Sequence, residues 1–587
     1  MRRPLTALCA LTFACSAPPP PAAKPPPQPA QKPVAAAPAP PATQPLVLQP
    51  ADGPDLVGIL VMPAVDRTVQ ATVALARAVR PLPLDAGGIK AMLTARAGIP
   101  DELASAVDLG KPLSVAFSYD AETGNVLVAS AVAHRGKDAF SAALGKLGPA
   151  VGRRGEARAY PAPGGQGTLW TLVEGDLAFF ANDAVALERA ARSAEKAHKA
   201  PAPPEDLIAT TWPARWKSAA GFDLEANARL VSGQVATAGA LIPNGDVLVA
   251  LAAPLFGGYA ARIGESRAIT AYARVGEQTG IELGVRLDAR PGTSLERIAS
   301  AAPGPLRAPA MVQEGRPAVF LATSPRTPGE PTPIWDAVLG AFASAPSDRV
   351  KAVGGFYKAF FVECDGSMAM AMTSDAKGGM RMNGVFGTKD EAAGARYLAL
   401  FAKDGGKAMN ALMATSMPGQ AAPITLKLKT EKVGGRPTVV TTIDAPKDHP
   451  MREALLKVYG KLPVQSYMVA KDSHVGVTFG GDAKQRLGKL LQSPPAAPTD
   501  ALVVHAFSPA AMRAGVVLID VGAYARWISS SLEAAGGAPG GLRTLAASKE
   551  ALPIVFDWGT GANARLDGVL RLPISLFRGL ARLFGST

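Results

Sequence analysis

The chain of 587 residues reads as an α+β protein: antiparallel sheets covered by helices, arranged as two related halves in tandem. Three observations lead there. A unit of strand, tight turn, strand and helix stands at residues 113–147, it recurs along the chain, and its copies fall in the same order in two successive stretches.

In the first copy Leu113, Val115 and Phe117 alternate with Ser114, Ala116 and Ser118, the period-two pattern of a strand with one buried face. Asp120 to Asn125 has turn chemistry, and Val126–Ala133 is a more continuously apolar strand. Phe140, Leu144 and Leu147 then recur at helical spacing. The unit returns at 268–302, with a turn at Gly276–Gly280 and a helix from Thr293, and at 368–402, with a helix beginning near Thr388. It returns again at 554–584, with a turn at Gly559–Asn563 and a helix over Ile574–Phe584. A tighter version appears at 169–183 and 466–482.

The 113, 169 and 268 units match the 368, 466 and 554 units in order, which predicts an internal duplication. The opening stretches Leu56–Pro63 and Ala318–Pro325 match as well, and Asp206–Pro213 pairs with Ala501–Pro509. The expected organisation is a signal segment at 1–15, a tether at 16–52, and halves at 53–303 and 304–587. The second half carries an insertion near 403–464. Within that insertion Lys427, Lys429 and Lys432 come nearest to a basic patch, and Lys427 and Lys429, alternating with Leu426 and Leu428, occupy the solvent face of a strand, as on a lysine-protected edge. The helix Ile574–Phe584 is expected to pack on its own hairpin through Ile574, Phe577, Leu580, Ala581 and Phe584.

The N-terminus is read separately from the fold. Arg2 and Arg3 precede a ten-residue apolar stretch, Leu5–Ala14, too short to span a bilayer. Thr12-Phe13-Ala14-Cys15 follows, and residues 17–45 are almost only Pro, Ala, Gln and Lys. Such a tract cannot bury a core, favours polyproline II, and reaches on the order of 100 Å when extended. On these residues the N-terminus resembles that of bacterial envelope lipoproteins, whose signal ends in a lipobox. Thr12 stands where that pattern has Leu. The resemblance implies a lipid on Cys15, and Ser16 after it implies export to the outer membrane, with the body facing the periplasm or the outside.

The net charge of +13 would suggest nucleic acid in a cytosolic protein, but the basic residues are dispersed and the export signal points elsewhere. Expected partners are the membrane, through the anchor, and an anionic envelope polymer or envelope protein; nucleic acid is not expected. Cys364 is the lone thiol of the body, and Glu363 and Asp365 beside it would blunt its reactivity. The sequence has no G-x-S-x-G, H-E-x-x-H, C-x-x-C or phosphate loop, and no cofactor is implied. Gly559-Thr560-Gly561-Ala562-Asn563-Ala564 matches a dinucleotide fingerprint in letters, but Arg565–Leu572 after it alternates like a strand, so it reads as a hairpin turn.

One concentration stands out. Met368, Met370 and Met372 share a strand face, as do Met380 and Met382 on the next strand, and Met409, Met413 and Met417 follow at helical spacing. They read first as a pliable core layer, and alternatively as a soft-metal site for Cu(I) or an adaptable apolar surface. The functional expectation is a non-enzymatic, tethered envelope protein that binds or scaffolds. One alternative is a carrier or chaperone for an apolar ligand such as lipid, which needs a continuous cavity or groove. The other is a hydrolase whose site is assembled from distant residues.

Overall fold

The structure is a computed structural model. It describes residues 45–584 apart from 80–84, 163–166, 326–332, 346, 375–378, 411–424, 450–451, 535–536, 562 and most of 219–260, 302–314 and 493–512. Residues 1–44 form a separate unit that lies outside the described residues, Cys15 with it.

Period-two segments dominate the body, and twenty of them form one antiparallel sheet. The first ten are β1 (Leu56–Met62), β2 (Leu113–Asp120), β3 (Asn125–Ala133), β4 (Gly152–Arg154), β5 (Ala157–Pro161), β6 (Thr168–Glu174), β7 (Leu177–Ala181), β8 (Leu207–Thr211), β9 (Ser266–Gly276) and β10 (Gly280–Ala289). Their spatial order is 4-5-6-7-3-2-1-8-9-10. The second ten are β11 (Val319–Thr323), β12 (Cys364–Ser374), β13 (Met380–Thr388), β14 (Thr425–Val433), β15 (Arg436–Asp444), β16 (Val464–Lys471), β17 (His474–Gly480), β18 (Arg513–Asp520), β19 (Pro553–Gly561) and β20 (Arg565–Leu572). They run 14-15-16-17-13-12-11-18-19-20, the same order with ten added to each number. The two sets meet where β10 pairs with β20.

Two expectations change. The counterpart of β8 by position is β18, Arg513–Asp520, and not 501–509, of which Val503 alone is described and is helical. An apolar run of that length fits a helix as well as a strand, so periodicity could not separate them. The lysine-bearing hairpin β14–β15 occupies the place that β4–β5 has in the first set, with β14 paired only to β15 among the described strands. The extra length near 403–464 therefore includes longer strands and flanking helical segments rather than an added hairpin.

Helices cover the outer parts of the sheet on both sides. On one side lie α1 (Val65–Val79), α2 (Ala86–Arg96), α3 (Asp101–Ala104) and α4 (Lys137–Gly145). Val65, Val69, Leu103 and Phe140 pack there on Leu113, Val115, Val132 and Phe180. On the other side α5 (Ala184–Lys199) lays Leu187, Ala190 and Ala194 on Ala116, Ala129 and Phe179. Asp183 starts α5 by accepting from the Val185 amide at 2.7 Å. After β10 comes α6 (Ser294–Ser300), capped by Thr293. The second set repeats the plan with α7 (Pro333–Ser344), α8 (Asp348–Glu363), α9 (Glu391–Leu400), α10 (Arg452–Tyr459), α11 (Ala483–Gln492), α12 (Val521–Ala534), α13 (Gly540–Ala546) and α14 (Ile574–Phe584). Phe356, Phe360, Tyr397 and Phe401 cover one side there, while Leu487 and Leu490 of α11 cover the other. Each fully buried Leu, Val or Phe contributes about 2 kcal/mol, so these layers supply most of the driving force for folding.

The last helix begins and ends where the periodicity places it, but its contact stripe is turned. Leu576 and Gly579 are buried, whereas Ile574, Phe577, Leu580 and Ala581 are half-buried, and the Phe584 side chain lies outside those described. Gly579 is the cause: a Cβ there would stand 2.2 Å from Leu552, so the bare backbone sets the approach. The helix touches β10 and β19, and Arg578 Nε also donates to the Ala78 carbonyl of α1 at 3.1 Å.

Candidate functional site

Between the helix-covered ends, the side of the sheet that carries α1 continues across the join as a row of apolar side chains. The strand registers place Ala273, Leu283, Leu570, Phe556, Val517, Leu321 and Met370 side by side on seven neighbouring strands. Val285, Trp558 and Met368 lie in the adjoining row. In the first half the same side of β2 is buried, with Leu113 at 0% and Val115 at 4% exposure. Here Leu283 is 43%, Val285 45% and Phe556 43% exposed, and their neighbours are half-buried. Singly exposed apolar residues are ordinary, whereas a contiguous apolar row across seven strands makes this face the candidate site.

The face has fixed geometry. Phe556 and Trp558 stack with centroids 5.6 Å apart and planes at 27°. Trp558 lies across Gly515 of β18, where a Cβ would stand 2.1 Å from the ring. Around the face stand α1, α14 and α12, whose Ala523 and Trp527 pack with Ala318 against Met372 and Met380. Arg578 and Arg582 on α14 are exposed, bonded to the Ala78 carbonyl and to Glu550.

The opposite side of the same strands is charged. Glu205, buried, accepts from Arg274 at 2.9 Å and Arg286 at 2.6 Å. Burial would raise its pKa, but the Arg286 hydrogen bond and the two guanidinium charges outweigh this and hold it below the usual carboxylate value. Arg286 also stacks on Tyr272, 4.1 Å from the ring centre, and Tyr272 in turn fills the space over Gly284. Arg571 joins Glu282 and Asp557, and Arg286 approaches Asp567. These groups answer one another in charge, so this side is a polar surface whose charges are largely paired, although Arg274 Nε is buried without a hydrogen-bond partner among the described residues.

Met368, Met370, Met372, Met380 and Met382 are all half-buried on the apolar side, while Ala369 and Ala371 between them are fully buried on the other. They form one end of the apolar face. The helix expected to cover them is described only as far as Asn410, with Met409 half-buried, and Met413 and Met417 lie outside the described residues. Cys364 is 3% exposed, and burial, then Asp365 and Glu363, push its thiol up to about 12. Among the described residues no three His, Cys, Asp or Glu side chains are grouped to hold a metal ion, and no helix is long and apolar enough to cross a membrane. A separate small apolar cavity of about 190 Å³ lies on the α5 side, among Val61, Pro63, Pro112, Ala197 and Pro201.

Sequence reasoning did not single out Leu283, Val285, Phe556 or Trp558. The signal was present, since G-I-E-L-G-V-R-L and R-L-D-G-V-L-R-L each alternate apolar with charged. Such alternation says that one side is apolar, not whether a helix covers it. Compared with known proteins, the chain matches no family model, no curated protein and no solved structure.

Proposed function

We propose that this chain is a non-enzymatic, lipid-anchored protein of the cell envelope that binds the acyl chains of an anionic lipid on the apolar face of its central strands. The half-exposed row from Ala273 to Met370 carries the reading, because seven adjacent strands presenting apolar side chains to solvent need an apolar occupant. Two features favour lipid. A tether of residues 16–44 behind an acylated Cys15 would hold the body within about 100 Å of a membrane, since Leu46 and Leu48 already pack on the core. The net charge of +13 and the exposed Arg578 and Arg582 on the bordering helix suit an anionic headgroup. On this reading the protein exchanges or carries lipid at the outer membrane rather than acting on nucleic acid.

The two halves are, on the same proposal, the product of an internal duplication. The repeated strand order supports it, and so does the join itself. Gly284 pairs with Val569, and the charged residues around them correspond at a constant spacing of 285 residues (569 − 284, 571 − 286, 567 − 282). A strand meeting a copy of itself produces such reciprocal contacts.

The test uses the full chain with Cys15→Ser and phosphatidylglycerol bearing a pyrene-labelled acyl chain. Saturable binding is expected. Leu283→Asp and Phe556→Asp should each weaken it about tenfold or more by placing a charge on the apolar face. Because both positions are already exposed, the thermal midpoint should move by no more than about 2 °C. Unaltered binding in both variants would remove the lipid reading.

A further inference from the structure

The methionine end of the apolar face differs from its counterpart in the first half in one chemical respect. Leu113, Val115 and Phe117 are the corresponding side chains of β2, and the first two are buried. On β12 the same positions are Met368, Met370 and Met372, all half-buried, with Met382 and Met380 beside them on β13. Five of the chain's fifteen methionines thus lie within fifteen residues on one side of the sheet, each half-buried, with Met372 and Met380 against Trp527 and Met382 against the cluster that holds Tyr397. Met62 and Met468 are each 6% exposed in closed core layers. Leu would supply the same apolar bulk. What thioethers add is deformability and a reactive sulfur.

We propose that Met368, Met370, Met372, Met380 and Met382 are an oxidation site through which peroxide lowers the affinity of the face for an acyl chain. The inference rests on the lipid-binding reading above. A thioether lone pair attacks one oxygen of hydrogen peroxide, the O–O bond breaks as the S–O bond forms, and the departing oxygen leaves as water after proton transfer. Each sulfur is oxidised by two electrons and each peroxide is reduced to water. The sulfoxide is polar and accepts hydrogen bonds, so an acyl chain laid over it would strip water from a group it cannot satisfy.

The experiment treats the full Cys15→Ser chain with dilute hydrogen peroxide, maps sulfoxides by peptide mass spectrometry, and titrates it with the pyrene-labelled phosphatidylglycerol. Met92, 57% exposed on α2 and not among the side chains of the row, is an internal control for reactivity without consequence. Sulfoxide is expected on the five methionines and on Met92, but not on Met62 or Met468, with binding weakened about tenfold. A variant with all five changed to Leu should bind as the parent does and keep its affinity after peroxide, whereas Met92→Leu should lose it as the parent does. Equal loss in the five-Leu variant, or no sulfoxide on the five residues, would overturn the proposal while leaving lipid binding intact. No binding before peroxide would instead overturn the lipid-binding reading, and this inference with it.

Discussion

Arg571 Nε stands 3.7 Å from Glu282 across the join of the two halves, and Arg286 Nε stands 4.0 Å from Asp567 on the far side of Gly284 and Val569. Asp288 and Arg565 continue the alternation as the next opposed pair. The side chains of the two ion pairs are 23–27% exposed, so each pair contributes on the order of 1 kcal/mol or less. Their larger effect is on register. The eight paired positions of β10 and β20 could slide, but a four-residue slip would set Glu282 against Asp567.

Gly284 sits at the centre of that join, under Tyr272, where a Cβ would meet the ring at 2.0 Å. Gly284→Ala should therefore destabilise the protein by about 1–3 kcal/mol, since the ring must move and lose its stack with Arg286. Thermal unfolding measures this, and a Tyr272→Ala background should recover most of the loss. A destabilisation that persists undiminished in that background would show that the ring contact is not the cause.

Glu205 predicts a pH dependence. Its folded pKa lies below its ordinary value of 4.5, so its contribution is complete above that value and is lost as pH falls through the lower folded value. Glu205→Gln removes the carboxylate between Arg274 and Arg286 and should cost about 3 kcal/mol at neutral pH. The difference between parent and variant should shrink as the pH is lowered well below 4.5. Thermal midpoints recorded from pH 7 down to pH 3 would show this convergence, and parallel curves would count against it.

Cys364 should be inert in the folded protein. With its thiol pushed up to about 12 and 3% exposed, it should resist iodoacetamide at pH 8 and react fully once denaturant is added. Rapid stoichiometric labelling without denaturant would contradict the closed packing around Tyr397 and Phe401.

Acylation is expected at Cys15. Cells fed a clickable fatty acid should label the parent and not Cys15→Ser. The variant should also leave the membrane fraction, and equal labelling of the two would exclude an anchor at that residue.

The amino-acid sequence by itself determined the local vocabulary of this protein. Alternation in Leu113–Ser118, Ile281–Leu287 and Arg565–Leu572, and turn residues such as Gly124 and Gly276–Gly280, are enough to specify hairpins, because strand period and backbone freedom are properties of a few adjacent residues. Asp183 and Thr293 likewise mark helix starts through bonds that span two or three residues. Tertiary structure decided what lies over each strand. Phe556 and Val115 look alike in sequence, apolar members of alternating strands, yet one is 43% exposed and the other 4%. The difference is that helices pack over Val115 of β2 and leave Phe556 of β19 uncovered, contacts between residues far apart in the chain that no local pattern encodes. The pairing of β10 with β20 is of the same kind. Nothing within either strand names its partner; the opposed charges of Glu282 and Arg571 acquire meaning only when the two edges meet.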